Sequence, residues 1–256
     1  MEVHHHSSPA PGGAHTSRKK WTHYFWEFLL LFLAVFCGFL AENQREHMIE
    51  HKREKQYIKS LLLDLKADIN QLRISQDFRT QRIDLLDTLM KLLKSPRLKE
   101  NTSAFYFHVL PSQFNRKFVS NNGTLSQLKN AGGLRLIRKS NVVDSILYVD
   151  VRTQATVDFE NWERDRLNDL SVFDKVVDGA ILEENTKYTY PDVAFEYNRP
   201  SGNPALLSYD KKDLERLYNR FNLQKRMHSV IISNLHGLKG NITRLIDLLE
   251  KEYPLK

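Results

Sequence analysis

The first candidates for a functional site are polar residues that interrupt two apolar helix faces. Gln76 and Arg79 fall within one apolar repeat, and Gln224 and His228 fall within another. If the two helices pack with these positions at one level, the four side chains form a polar layer across an aliphatic core. That layer is either a network that fixes helix register or a small ligand pocket around Arg79 and His228.

Two histidines have the spacing of metal ligands. His47 and His51 stand four residues apart, with Glu46 and Glu50 beside them. On a helix this spacing places both imidazoles on one face. A stable metal site needs a third ligand, and none is evident, so the sequence predicts no metal and no other cofactor.

Motifs of known enzymes are missing from the sequence. It has no phosphate-binding glycine loop, no nucleophile elbow and no HExxH zinc motif. The single cysteine, Cys37, excludes an intrachain disulfide. The net charge is +7, but the charges alternate in sign along the predicted helices, as on solvated helix faces. We therefore expect a protein that is not an enzyme and whose partner is not nucleic acid.

The elements that would carry these residues begin with an apolar stretch over 21–41. Its only charged residue is Glu27, and at about 1.5 Å per residue it would form a helix about 30 Å long, the thickness of the hydrocarbon core of a bilayer. Trp21 and Trp26 gather at its start, where aromatic rings lie at the headgroup level. Bulky Phe39 argues against cleavage as a signal peptide. We predict a transmembrane anchor in the lipid bilayer.

Residues 1–20 are predicted to be a disordered tail, because the Pro-, Gly-, Ser- and His-rich start of the chain cannot bury a core. The basic cluster at 18–20 favours a cytoplasmic N-terminus and an exported C-terminal domain. Glu27 is either an interfacial carboxylate that reaches toward His23 or Lys20, or a partner for another membrane protein.

Small residues in the anchor, Ala34 and Gly38 among them, would let a second transmembrane helix approach closely. The apolar repeat of the following helix, extended backward, lands on Ala34, Cys37 and Ala41. A continuous dimer seam is one reading of this register. Because polar residues interrupt it after the anchor, packing within one chain is the favoured reading.

A long helix is predicted over 42–95, since neither Pro nor Gly occurs from Glu42 to Ser95 and Pro96 then ends the run. Its apolar residues recur at alternating steps of four and three, the heptad pattern of coiled coils and helical bundles. These residues are Ile58, Leu62, Leu65, Ile69, Leu72, Ile83, Leu86, Met90 and Leu93.

Three further helices are predicted over 124–131, 141–178 and 211–252. For the middle one, the apolar face is assigned to Ile146, Val149, Trp162, Leu167, Leu170, Phe173 and Val177. The last one repeats the heptad pattern from Leu214 to Leu249. Between them, 185–208 holds three prolines and four aromatic residues, and we expect this segment either to pack on the helices or to bind a partner.

The expected fold class is all-α. One N-terminal transmembrane helix continues into a long helix, which packs with two further long helices as an elongated bundle. Residues 42–256 form the extramembrane domain.

Two stretches resemble an uncharacterised family of Gram-negative bacterial single-span membrane proteins, known as a domain of unknown function. They are YFWEFLLLFLAVFCGFLAENQREHMIEHKREKQYIKSLLLDLKADI at the anchor and NGTLSQLKNAGGLRLIRKSNVVDSILYV further on. Together they cover under a third of the chain. The resemblance implies an inner-membrane protein with an extramembrane helical domain, and it transfers no catalytic residue.

The sequence therefore predicts a membrane-tethered helical module that binds an unknown membrane or envelope protein or assembles with itself through heptad faces. The alternative is a periplasmic ligand-sensing domain that signals through a partner protein.

Overall fold

The computed structural model describes residues 18–189 and 194–254 of the chain. Its helices are α1 (Arg18–Lys94), α2 (Thr102–Ser112), α3 (Gly123–Asn130), α4 (Ser140–Arg166), α5 (Gly179–Glu184) and α6 (Lys211–Glu252). Short 3-10 turns lie at Leu98–Glu100 and Gly133–Leu136, and a hairpin pairs β1 (Thr186–Thr189) with β2 (Ala194–Tyr197). The predicted all-α class is confirmed.

The chain divides into two compact units, residues 1–53 and 54–256. The predicted tail over 1–17 lies outside the described residues. Residues 18–20, expected to belong to that tail, are already part of α1.

In the first unit, α1 carries the apolar stretch with its side chains exposed. Phe28, Phe32 and Phe36 stack along one face, with ring centroids 6.3 and 5.9 Å apart. Within the described residues, one helix is apolar and long enough to cross a membrane, with a mean hydropathy of 2.1 over its most apolar window.

The second unit has two apolar clusters. The first cluster contains the part of α1 that follows residue 54. It packs this part of α1 with α3, the start of α4 and the last half of α6. The second joins the end of α1 to α2, the segment around 176–182 and the start of α6. Burial of these aliphatic and aromatic side chains is the main driving force for assembling the helices.

The heptad positions predicted on α1 and α6 face these clusters. On α1 most of the predicted residues are buried, while Ile69 and Ile83 are partly buried. On α6 every predicted position from Leu217 to Leu249 is buried. Both repeats are therefore used to pack helices of the same chain.

The helix predicted over 141–178 is shorter in the structure, because α4 ends at Arg166. Arg220 of α6 donates hydrogen bonds to the carbonyls of Arg166 and Leu167, which satisfies the last turn of the helix. Asp169 then accepts a hydrogen bond from the backbone of Ser171 and starts a turn.

The sequence did not predict α2, and it treated 185–208 as a loop. In the structure, part of that segment forms the hairpin, and the residues after it pack on α2. Ser103 donates to the carbonyl of Pro200 at 2.7 Å, and Tyr106 donates to that of Ala205 at 3.1 Å. The packing alternative for this segment thus agrees with the structure.

Candidate functional site

Arg79 is the centre of a polar cluster inside the second unit. It lies on α1 between the two apolar clusters and is fully buried, with 0% of its surface exposed. Its Nη2 donates to Oε1 of Glu160, and its Nη1 donates to Oε1 of Glu163, both at 3.0 Å. Both carboxylates come from α4, so one guanidinium joins α1 to α4 through one charge-assisted hydrogen bond to each carboxylate.

His228 brings α6 into the same cluster. Its Nδ1 lies 3.1 Å from Nη1 of Arg79 and 3.6 Å from Oε1 of Glu163. The imidazole is completely buried. We refer to Arg79, Glu160, Glu163 and His228 as the buried polar cluster.

The environment of His228 keeps its imidazole neutral. Burial lowers the pKa of His228 to about 3, and the positive charges of Arg79 and Arg82 add to this shift. Since Arg79 can only donate, Nδ1 of His228 must be the acceptor, which places the proton of the neutral ring on Nε2.

The pKa of Glu160 is shifted in the opposite direction to that of His228. Burial raises the pKa of Glu160, while Arg79 and a hydrogen bond from the backbone N–H of Phe118, at 3.1 Å, act to lower it. The nearby charge of Glu163 raises it further. Two carboxylates around one guanidinium and one neutral imidazole give a connected network rather than an open charged site.

The predicted polar layer holds only in part. Arg79 and His228 meet, but Gln76 is only partly buried, and the neighbouring Ser75 occupies the buried position and donates to the carbonyl of Arg116 at 3.0 Å. Gln224 is buried, but it donates to the carbonyl of Ser112 at the end of α2, at 2.8 Å. Of the four predicted residues, only Arg79 and His228 therefore meet; Ser75 binds the segment at Arg116, and Gln224 anchors α2.

Sequence reasoning missed Glu160 and Glu163, although a signal was present. From Ile146 and Val149, steps of four and three lead through Thr156 to Glu160 and Glu163, and all of these residues are buried. The apolar face was instead assigned through Trp162, which the structure places on the outside of α4 with 49% of its surface exposed.

The outer side of α4 carries an apolar stripe. Tyr148, Val151 and Trp162 are 55%, 64% and 49% exposed, and Ala155 between them is also exposed. Phe159 stacks on Trp162 with ring centroids 5.3 Å apart. These five residues recur at helical spacing on one face; Phe159 is partly buried against the first apolar cluster, and the other four are exposed. We refer to the five residues as the outer stripe.

The residues named for the anchor lie on α1 in the first unit. Trp21, Trp26, Ala34 and Gly38 are exposed, and a Cβ at Gly38 would meet no atom within 4 Å. Oε1 of Glu27 lies 3.1 Å from Nε2 of His23. This geometry agrees with a carboxylate that reaches back along its own helix.

Other places in the described residues are weaker candidates for a functional site. No group of three or more His, Cys, Asp or Glu side chains among them is arranged to hold a metal ion. A groove of about 360 Å³ lies between α1, α3, α4 and the segment 117–122. Asp68 at its wall accepts hydrogen bonds from Ser120 and Asn121, so this carboxylate holds the segment against α1.

Comparison of the chain with protein-family models, with curated proteins and with solved structures finds no match.

Proposed function

We propose that the protein is a membrane-anchored helical module, without an enzymatic activity of its own, that binds a protein through the outer stripe of α4. One observation carries the proposal. The heptad faces of α1 and α6 are largely buried within the chain, whereas four of the five residues of the outer stripe remain exposed. The heptad faces on which the sequence prediction relied therefore pack on helices of the same chain. We accordingly place the proposed binding surface on α4.

The chemistry of the stripe suits a protein interface. Aromatic residues such as Tyr148 and Trp162 are enriched at such interfaces and contribute much of their binding energy. The partner is a second copy of the chain or another membrane or envelope protein with an apolar helix face.

The proposed location is the inner membrane of a Gram-negative bacterium, with a single span over 21–41 and a periplasmic C-terminal domain. The apolar length of the stretch, the basic residues at 18–20 and the family resemblance support it.

Site-specific photo-crosslinking in intact cells tests the interface. A benzophenone side chain at Ala155 of the full-length chain is expected to give a crosslinked product of discrete mass, equal to a dimer for self-association or larger by one partner. Val151→Glu in the same chain should reduce that product at least tenfold, because it places a charge in the apolar contact.

Leu63 provides the matched control, since it is an exposed leucine on α1 at 63% exposure. A benzophenone at this position should give no product, and Leu63→Glu should leave the Ala155 product unchanged. Crosslinking at Ala155 that is absent, or that is indifferent to Val151→Glu, would rule out the outer stripe as the binding surface.

A further inference from the structure

A single imidazole completes the junction of three helices. His228 of α6 accepts its hydrogen bond from Arg79 of α1, which also holds Glu160 and Glu163 of α4. Within the described residues, Nε2 of His228 and Nε of Arg79 have no hydrogen-bond partner, although both atoms are buried. Unsatisfied buried donors weaken the assembled arrangement.

Protonation of His228 is incompatible with this geometry. An imidazolium donates from both nitrogens, so Nδ1 would direct a proton at the donating Nη1 of Arg79, 3.1 Å away. From α1 the ring faces two positive charges, Arg79 and Arg82. From α4 it faces Glu163, whose Oε1 is 3.6 Å away and already bound to Arg79, with Glu160 on the far side of the guanidinium.

We propose that the buried polar cluster is an acid-released latch, in which uptake of one proton by His228 breaks its bond to Arg79 and frees α6 from α1 and α4 at this level. The latch is therefore closed while the imidazole is neutral and open once the imidazole is protonated.

The difference in the pKa of His228 between the closed and open states determines how strongly the opening equilibrium depends on pH. In the closed state the pKa of His228 is about 3, whereas an imidazole exposed on opening has its ordinary value of about 6.5. The opening equilibrium is then independent of pH above about 6.5 and rises by up to about tenfold for each pH unit below it, until about pH 3. Glu160 opposes this trend, because its raised pKa makes the closed state the better proton acceptor as the pH falls toward 4.5.

Trp162 of α4 reports on the latch through Phe159, on which its indole stacks with ring centroids 5.3 Å apart. Phe159 precedes Glu160 and packs against the first apolar cluster. The experiment uses the full-length chain in nanodiscs with Trp21→Phe and Trp26→Phe, which leaves Trp162 as the only tryptophan. We expect its emission to shift between pH 6.5 and 3.5 while the helical circular dichroism is retained. If the Trp162 emission stays constant until helix content is lost, the proposed latch does not exist.

Two variants on α6 separate His228 from other titrating groups. His228→Gln keeps an acceptor for Arg79 but cannot titrate in this range, so the emission shift should disappear. His236→Gln removes an exposed histidine two turns further along the helix and should leave the shift unchanged. An unchanged shift in His228→Gln would overturn the proposal.

Nuclear magnetic resonance of the unmodified chain, labelled at histidine, keeps the proposal testable if His228→Gln does not fold. Burial and Arg199 also lower the pKa of His108. We therefore expect the resonance assigned to His228, and not that of His108, to have a midpoint well below 6.5 that coincides with the Trp162 transition. If every imidazole titrates near 6.5 while the helices persist, the latch does not exist.

Discussion

At Arg79, a charged side chain takes a position where the heptad of α1 otherwise places aliphatic residues. Removal of a guanidinium from water costs several kcal/mol, and hydrogen bonds to Glu160 and Glu163 offset much of this cost. We therefore expect the network to fix which helices meet at this level more than it raises stability. A buried charge tolerates neither a lost partner nor a shifted register.

Arg79→Met should be strongly destabilising, because it leaves two buried carboxylates without a cation. We expect the free energy of unfolding to fall by about 3–5 kcal/mol, measured by chemical denaturation of the full-length chain in detergent. Arg73→Met on the exposed side of α1 should change it by less than about 0.5 kcal/mol.

A triple variant tests the reason for this loss. Adding Glu160→Gln and Glu163→Met to Arg79→Met removes the uncompensated charges and keeps an acceptor for the backbone N–H of Phe118. Most of the lost stability should return. If the triple variant is as unstable as Arg79→Met alone, packing rather than charge explains the single substitution.

At the scale of elements, the start of α6 shows how a helix of 42 residues is delimited. Asp210 is its N-cap, and its carboxylate accepts hydrogen bonds from the backbone N–H groups of Lys212 and Asp213. These are two of the donors that a helix leaves unpaired at its beginning. The cap places the start of α6 beside the second apolar cluster.

Asp210→Ala should lower the free energy of unfolding by about 1 kcal/mol, because both backbone donors lose their acceptor. Thermal denaturation of the full-length chain measures this change. Asp247→Ala, at an exposed position within the same helix, serves as the control and should have a much smaller effect. Equal effects of the two substitutions would show that the cap does not stabilise the fold.

Helices α1 and α6 could be predicted from the sequence because their apolar residues repeat over many turns. The end of α4 could not, since the group that caps it is Arg220, about fifty residues further along the chain. Residues 102–112 carry apolar side chains on all sides, so periodicity did not reveal α2.

The residues of the candidate site also differ in whether the sequence reveals them. Arg79 and His228 stand out because they interrupt apolar repeats, whereas Glu160 and Glu163 resemble ordinary charged residues near the end of a polar helix. Only an extension of the register from Ile146 and Val149 would have placed them in the core.

At the scale of the whole molecule, the proposed location of the domain rests on the apolar stretch over 21–41. Leu31 lies at its midpoint, where an arginine costs about 2.5–3.5 kcal/mol on insertion scales. A phosphatase that is active only outside the cytoplasm, fused after Lys256, should be active on the natural sequence and lose most of its activity with Leu31→Arg. Leu63→Arg should leave it active.

An inactive phosphatase on the natural sequence, together with a fluorescent cytoplasmic reporter at the same position, would place the domain in the cytoplasm. That result would overturn the proposed orientation and leave the anchor itself intact.

The position of the buried polar cluster between two apolar clusters has a consequence for how parts of the domain open transiently. Leu72 and Ile231 belong to one cluster, Leu86 and Phe221 belong to the other, and Arg79 and His228 lie between them on the same two helices. A buried hydrogen-bond network couples the groups that it joins. Backbone amides on the two sides should therefore exchange with deuterium as two protected groups, which open separately when the network breaks.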